Sequence, residues 1–293
     1  MNREDFPILK EELIYFDNGA TTLKPQCVID AAVDYETCYT ANAHRGEYQN
    51  SLLVDQKIDQ ARKEIAKFIH ASSEREIIFT ESATKSLNQI IFGFFKGVLK
   101  KGDHVLLTKA EHASNVLPWF ELADELDLVI DYIPLDEHLH VTLEHVKEAI
   151  QKDTKVISIA QISNVIGDER PVEEIISYAH QLGIYVIVDG AQSVPHKKVD
   201  VKKMDVDFFV FSLHKMCGPT GVGILYGKEE HLYKMRPTCF GGGMNLSFTS
   251  DRKRIYTSIP TRFEAGTLNI SGIIASFEAV SYLEKIGMEQ RET

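Results

Sequence analysis

The chain has 293 residues, 44% hydrophobic and 26% charged, which is ordinary for a globular protein able to bury a large core. Its formal net charge of -11 argues against nucleic-acid binding, which needs a basic surface to displace counterions from phosphates. The amino terminus has no apolar signal region, no run is long enough to span a bilayer, and the four cysteines lack the close spacing of a zinc site or disulfide framework, so free thiols in a reducing, cytoplasmic compartment are expected.

In chain order, residues 1–20 read as an arm and 55–69 as an amphipathic helix ahead of a sheet. A strand at 76–80 precedes Ser82-Ala83-Thr84 and a helical run over 86–95, which puts those three residues at a helix start where amides and dipole favour an anion. Strand-like segments at 104–108, 128–133, 155–160, 184–188, 208–212 and 222–226 alternate for much of the chain with helical stretches. That is the rhythm of a mainly parallel sheet flanked by helices. Pro171 and Gly183 bracket one helix, proline suiting a first turn and glycine the left-handed cap. The fold class is therefore α/β, with 21–270 as one large domain and 271–293 as a helix directed toward a second one; no repeat, low-complexity segment or linker interrupts it. His138, His140 and His145 suggest a metal only weakly: without a carboxylate pattern they read as a solvated surface.

The run Ile184-Tyr185-Val186-Ile187-Val188 has the apolar character of a strand buried on both faces, and it stops at Asp189-Gly190-Ala191-Gln192. Ligands of open α/β sheets gather at such carboxyl ends. Phe208-Phe209-Val210-Phe211 empties into Ser212-Leu213-His214-Lys215 and a turn-rich loop, so an amine faces the same crevice. A carboxylate and an amine so placed read as a pyridoxal phosphate site. The protonated pyridine nitrogen needs an ionised carboxylate, assigned to Asp189, and the aldehyde needs an amine of lowered pKa, assigned to Lys215. The phosphate needs hydroxyls and helix-start amides, assigned to Ser82, Ala83 and Thr84. Each has a plainer rival: Lys215 as a surface lysine, Asp189 or Thr84 as a helix cap. The nearby His112 by itself reads as a loop histidine or as a ring able to stack on a cofactor. The combination favours the cofactor.

Tyr15-Phe16-Asp17-Asn18-Gly19-Ala20, Ala43-His44-Arg45-Gly46, Glu111-His112 with Asn115 and Pro118-Trp119, Asp189-Gly190-Ala191-Gln192-Ser193, His214-Lys215 and Arg262-Phe263-Glu264-Ala265-Gly266-Thr267 stand in one order along the chain. Together they resemble the cysteine desulfurases, more narrowly the SufS-type and selenocysteine lyase branch of the class V aminotransferase-like enzymes of fold-type I. The resemblance runs from about residue 12 to the end. It implies that Lys215 is the Schiff-base lysine, Asp189 the partner of the pyridine nitrogen, and His112 the ring stacked on the cofactor. Gln192 would bond the phenolic oxygen, and Asn164 would line the site near that oxygen or the substrate. Thr84, Ser212 and His214 would hold the phosphate, and Thr267 would reach the phosphate of the neighbouring subunit in a homodimer. His44 and Arg45 would sit at the substrate entrance, with Arg45 also available to the dimer.

The chain departs from the family pattern at Lys85, where an acidic residue is usual, and at Cys217, where an aromatic one is common. It also ends at Thr293, where the family continues into a small carboxyl-terminal domain on the order of 100 residues that supplies the nucleophilic cysteine and the arginine for the substrate carboxylate. Cys217 and Cys239 are weighed as substitute nucleophiles, against the commoner role of a small buried hydrophobe. The activity implied is conversion of L-cysteine or L-selenocysteine to L-alanine, with an enzyme-bound persulfide handed to a sulfur-acceptor protein. Two alternatives stay open: an inactive cofactor-binding fragment or dimerisation module, and another class V reaction such as transamination, epimerisation or elimination. An absent domain would also leave the apolar face at Ile273, Ile274, Phe277 and Val280 uncovered.

Overall fold

The computed structural model describes residues 2–10, 12–43 and 46–287. Numbered in chain order, the strands of its main sheet are β1 (Ile77–Thr80), β2 (His104–Thr108), β3 (Val129–Ile133), β4 (Thr154–Ala160), β5 (Tyr185–Asp189), β6 (Phe208–Ser212) and β7 (Gly223–Gly227). Their spatial order is β1-β7-β6-β5-β4-β2-β3. From β3 through β6 every pairing is parallel, whereas β7 runs antiparallel to both β6 and β1. The sheet is thus parallel across the part that carries Asp189 and turns antiparallel at β6, whose Ser212 pairs with Gly223 of β7. A separate antiparallel hairpin, β8 (Asn245–Phe248) with β9 (Arg254–Tyr256), was not anticipated.

The helices are α1 (Gln26–Cys38), α2 (Gln49–Phe68), α3 (Ala83–Gly93), α4 (Leu117–Leu126), α5 (Leu143–Ala149), α6 (Val172–Gln181), α7 (Val201–Met204), α8 (Glu229–Lys234) and α9 (Ile270–Ile286). The helix expected at 55–69 begins a turn and a half earlier, and the one expected at 86–95 begins at Ala83, because the Ser82 side chain caps it by accepting from the Lys85 N–H. Pro171 is the N-cap of α6 rather than its first-turn residue, and Gly183 takes a φ of +70° just beyond its end.

All-apolar strands hide a period of two that burial on both faces makes invisible in sequence. Phe209 and Phe211 of β6 join Val186, Val188, Ile157 and Ile159 in the core on one face of the sheet, while Phe208 and Val210 join Ile187, Val156 and Trp119 on the other. Helix α9 packs across α1 and α2. Its residues Ile273, Ile274 and Val280 are buried there and Phe277 is half-buried, which corrects the expectation of an uncovered face: α2 and the start of the chain supply the cover. In that start, Phe6 sets its ring edge-on against Tyr282 at 5.9 Å, and the Tyr282 hydroxyl donates to Asp5. No helix among the described residues is long and apolar enough to cross a membrane.

Candidate active site

At the carboxyl ends of β4, β5 and β6 lies a cleft of about 620 Å³. It is lined by Ala83, Thr84, His112, Asn164, Asp189, Gln192, Ser212, His214 and Lys215, residues scattered over more than a hundred positions of sequence, together with Ser82. Thr267 is not among the lining residues; its hydroxyl accepts from Asn42 Nδ2 at 3.4 Å instead. His44 and Arg45 lie outside the described residues.

The sheet explains the convergence. Asp189 is the last residue of β5, and in register Asp189 pairs with Val210 of β6, so the chain that leaves β6 at Ser212 carries His214 and Lys215 past the same opening. Asp189 Oδ1 accepts from the Ala191 N–H at 2.9 Å, a bond that closes the turn at Gly190. A Cβ on Gly190 would stand 2.1 Å from the Phe209 ring, so only glycine lets this turn lie flat on the core. Burial pushes the Asp189 carboxyl above the usual range, opposed by the Ala191 N–H and reinforced by the charge of Glu111. Lys215 is half-buried, and desolvation pulls its amine below the ordinary lysine value against the attraction of Asp189. His214 is likewise lowered by burial, then by the cations of Lys215 and Lys24.

Across the cleft, α3 begins. Ser212 Oγ accepts from the Ala83 N–H at 2.8 Å, which locks the β6 end to the helix start. A Cβ on Gly223 would fall within 2.3 to 2.7 Å of the Ser82 backbone, so β7 reaches this corner only because it has no side chain there. Thr84 Oγ1 and Ser114 Oγ share a hydrogen bond of 2.6 Å, and His112 Nδ1 accepts from the Ser114 N–H at 3.1 Å. That bond leaves the ring proton of a neutral His112 on Nε2.

Residues 16–24 form a strap along the cleft, of which 16–20 belong to the expected arm. Phe16, Asp17, Gly19 and Ala20 line the cleft, and the Gly19 carbonyl accepts from Gln192 Nε2 at 2.8 Å. The His214 carbonyl accepts from the Thr22 N–H at 2.8 Å, from the Thr21 and Thr22 hydroxyls at 3.0 Å each, and from Lys24 Nζ at 3.3 Å. These bonds fix the backbone on which Lys215 sits. The motif over 15–20 is the sequence signal for this strap; the strap's side chains at Thr21, Thr22 and Lys24 converge on one distant carbonyl, and residue identity does not report which carbonyl a hydroxyl will meet.

The cysteines lie elsewhere. Cys217 is 4% exposed and lines a neighbouring cavity on the far side of Lys215, its N–H donating to Thr22 Oγ1, whereas Cys38 and Cys239 are exposed. Of the three histidines weighed for a metal, His145 serves as a cap, its Nδ1 accepting from the Thr142 N–H, and His140 lies near Asp136 and Asp168.

The donor set suits pyridoxal phosphate. A carboxylate buried at a strand end matches a pyridinium N–H, an amine of lowered pKa matches an aldehyde, and a corner of serine, threonine and histidine side chains at a helix start matches a phosphate. The comparison with known proteins agrees with this chemistry. The model of the family described as aminotransferase class-V matches residues 14–293. A probable cysteine desulfurase of Halalkalibacterium halodurans is 41% identical over 98% of this chain and 72% of its own length. Among solved structures, the apo cysteine desulfurase of Thermococcus onnurineus superposes with a TM-score of 0.94 at 38% identity, covering 99% of this chain and 72% of that one. The Escherichia coli cysteine desulfurase CsdA does so with a TM-score of 0.91 at 32% identity, covering 98% and 72%. The chain therefore belongs to the class-V aminotransferase family of fold-type I pyridoxal phosphate enzymes, within its cysteine desulfurase group.

Proposed function

We propose that the cleft binds pyridoxal 5'-phosphate and serves a cysteine desulfurase reaction, in which L-cysteine or L-selenocysteine gives L-alanine and its sulfur or selenium passes to a thiol. The observation that carries this reading is the meeting of Asp189 and Lys215, from the ends of adjacent parallel strands, in one cleft with a hydroxyl-rich helix start. When bound, the cofactor supplies an electron sink for charge developing at the substrate α-carbon.

The residues supply the rest. Asp189, removed from water, holds a proton at the pyridine nitrogen by a charge-assisted hydrogen bond. Lys215, its pKa drawn down by burial, offers an amine that is neutral more often than a solvated lysine, as attack on a carbonyl or uptake of a proton requires. His112 would cover one face of the cofactor, and Gln192 and Asn164, which line the same cleft, would address its phenolic oxygen. Ala83, Thr84, Ser212 and His214 receive the phosphate at the α3 N-terminus. In this reading the chain is a homodimer in which Thr267 addresses the phosphate of the other copy, residues 1–20 are an arm on the 21–270 domain, and a sulfur-acceptor protein receives the product. The exposed thiols of Cys38 and Cys239, neither in a disulfide, accord with a reducing, cytoplasmic setting.

A second reading is a cofactor-binding module without turnover. It is favoured by one observation: none of the four cysteines lines the cleft among the described residues. The absorbance of the purified chain before and after borohydride, with Lys215→Ala as control and L-cysteine then added, separates the two. A band lost in the variant, with alanine released, is expected for the desulfurase and points to a thiol among the four. The same band without alanine favours the module, pyruvate and ammonia would replace desulfuration by elimination, and no band at all overturns the cofactor reading.

A further inference from the structure

We propose that Glu111, paired with Arg170, is a positioning residue: a buried carboxylate that holds His112 and the loop carrying Asn164 in fixed relation to Asp189. This rests on the reading of the cleft as a pyridoxal phosphate site.

The Glu111 side chain is 0% exposed and that of Arg170 1%. A carboxylate so far from water persists only when paired and fully hydrogen-bonded. Glu111 meets that condition with donors from four places. Its Oε1 accepts from the Thr108 hydroxyl at the end of β2, at 2.7 Å, and from Arg170 Nη1. Its Oε2 accepts from Asn115 Nδ2 at 2.8 Å and from the Ala160 N–H at the end of β4, also at 2.8 Å.

The partners are fastened in turn. Asn115 Oδ1 accepts from Ser158 Oγ at 2.5 Å, and the Asn115 N–H donates to the His112 carbonyl at 2.8 Å. Arg170 Nη1 donates to the Ala160 carbonyl at 3.1 Å. The Arg170 N–H donates to Gln161 O, and the Gln161 N–H to Asp189 O, both at 2.9 Å. Residues 161–170 are thereby closed into a loop, sealed also by a bridge between Ile162 and Glu169, and Asn164 stands inside it. One line of bonds therefore runs from His112 through Glu111 and Arg170 to the backbone of Asp189.

His112 needs such an anchor. It is exposed, and among the described residues its ring is held by the local bonds to Ser114, so its place over the cleft depends on the neighbouring Glu111 and Asn115 being tied to the core. A buried ion pair is a poor device for stability, because apolar residues of the same volume commonly do as well or better. Its position at the junction of three strand ends and two cleft loops is explained by the geometry that it enforces.

The test uses Glu111→Gln, which keeps shape and removes charge, and Glu111→Gln/Arg170→Met, which removes both charges. Asp207→Asn, at the opposite end of the sheet, serves as a control of comparable stability loss. Three readouts are taken: the ¹⁵N resonances of the His112 ring in the cofactor-free chain, the visible circular dichroism per bound cofactor, and cofactor affinity. With Glu111→Gln the His112 resonances are expected to move or split, the ellipticity to fall, and the affinity to drop about tenfold or more, the scale of a buried group left without its partner. The double variant is expected to regain thermal stability without regaining the ellipticity. The inference is overturned if Glu111→Gln loses only thermal stability, as Asp207→Asn does, or if the double variant restores every readout. If the unmodified chain gives no borohydride-sensitive band, the cofactor reading fails, while the His112 resonances still decide the positioning role.

Discussion

The chain buries an aspartate at each end of its central parallel strands and treats the two in opposite ways. Asp207, just ahead of β6, is surrounded by donors: Oδ2 accepts from the Val186 N–H at 2.8 Å and His180 Nε2 at 2.9 Å, and Oδ1 from His231 Nε2 at 2.8 Å. Burial alone would push its carboxyl up, but His180, His231 and the Val186 N–H outweigh that and hold it below the usual range. Asp189, at the other end of β5, accepts from the Ala191 N–H among the described residues, and burial pushes it up despite that bond and the attraction of Lys215 and His112. Similar burial thus secures the sheet at its amino end and leaves a costly group at its carboxyl end. The difference is the one expected between a carboxylate satisfied by its own protein and one kept for a ligand.

The sharpest way to break this comparison is to neutralise each acid in turn. Asp189→Asn is expected to cost about a hundred- to a thousandfold in cofactor-dependent turnover, the scale of losing one preorganised electrostatic contact, measured as alanine release from L-cysteine. The same change should raise the thermal stability of the cofactor-free chain at pH 7, because an amide avoids the desolvation that the carboxylate suffers. Asp207→Asn should do the reverse. It removes a charge that two histidines share, and a loss of about 3 kcal/mol is expected in urea unfolding, with cofactor binding unchanged. Equal effects of the two variants on stability would remove the distinction.

Gly223→Ala tests whether the phosphate corner tolerates any widening. The added methyl meets the backbone of Ser82, which cannot swing aside like a flexible side chain, so β7 or the start of α3 must move. Overpacking of this kind costs about 1–3 kcal/mol, and the same displacement should weaken cofactor binding, since Ser82 and Ala83 move with it. A thermal melt together with a cofactor titration reads both. An alanine that lowers stability but leaves the titration untouched would place the strain away from the corner.

The same contrast explains what sequence could and could not reveal. The runs that became β5 and β6 were legible because burial on both faces leaves no polar residue in them, and the residues at their ends inherit their position from the strand. Asp189, Gln192, Ser212, His214 and Lys215 could therefore be brought together in advance as one crevice. Glu111, Arg170 and Asp207 could not be read as buried acids and base, since nothing in a charged residue's identity tells that its partners arrive from distant segments. The strap over 16–24 works mainly by donating to one distant main-chain carbonyl, that of His214, which no residue identity announces. The β8–β9 hairpin is exposed, with Leu246, Phe248 and Ile255 facing outward, so the short alternation over 245–248 marks no buried face. The cover of the α9 face is not legible because it comes from α2 and the start of the chain, segments far off in sequence whose packing on α9 no local pattern announces.

The smallest expected effect is on the pH profile of stability, where the two ends should pull in opposite directions. Asp207 has a depressed pKa in the folded chain, so its contribution is present above the ordinary carboxylate value of 3.8 and is lost as pH falls further, toward its folded value. His180 is raised, first by its hydrogen bond to Asp207, so its contribution is full below the ordinary value of 6.5 and is lost as pH rises through the higher folded one. Asp189 is raised as well, and its contribution is full below 3.8 and declines as pH climbs through its folded value. Urea midpoints of the cofactor-free chain should therefore fall off on the acid side through Asp207 and decline above neutrality through His180, with Asp189 adding a further loss above pH 4. Asp207→Asn should flatten the acid limb and shrink the His180 limb, because Asp207 is the chief cause of the His180 shift; the part that Asp205 contributes through His180 Nδ1 should remain. Asp189→Asn should leave those limbs in place and remove only the decline that begins above pH 4, and a profile in which it flattened the acid limb would show that the two aspartates are not divided between stability and ligand as their surroundings imply.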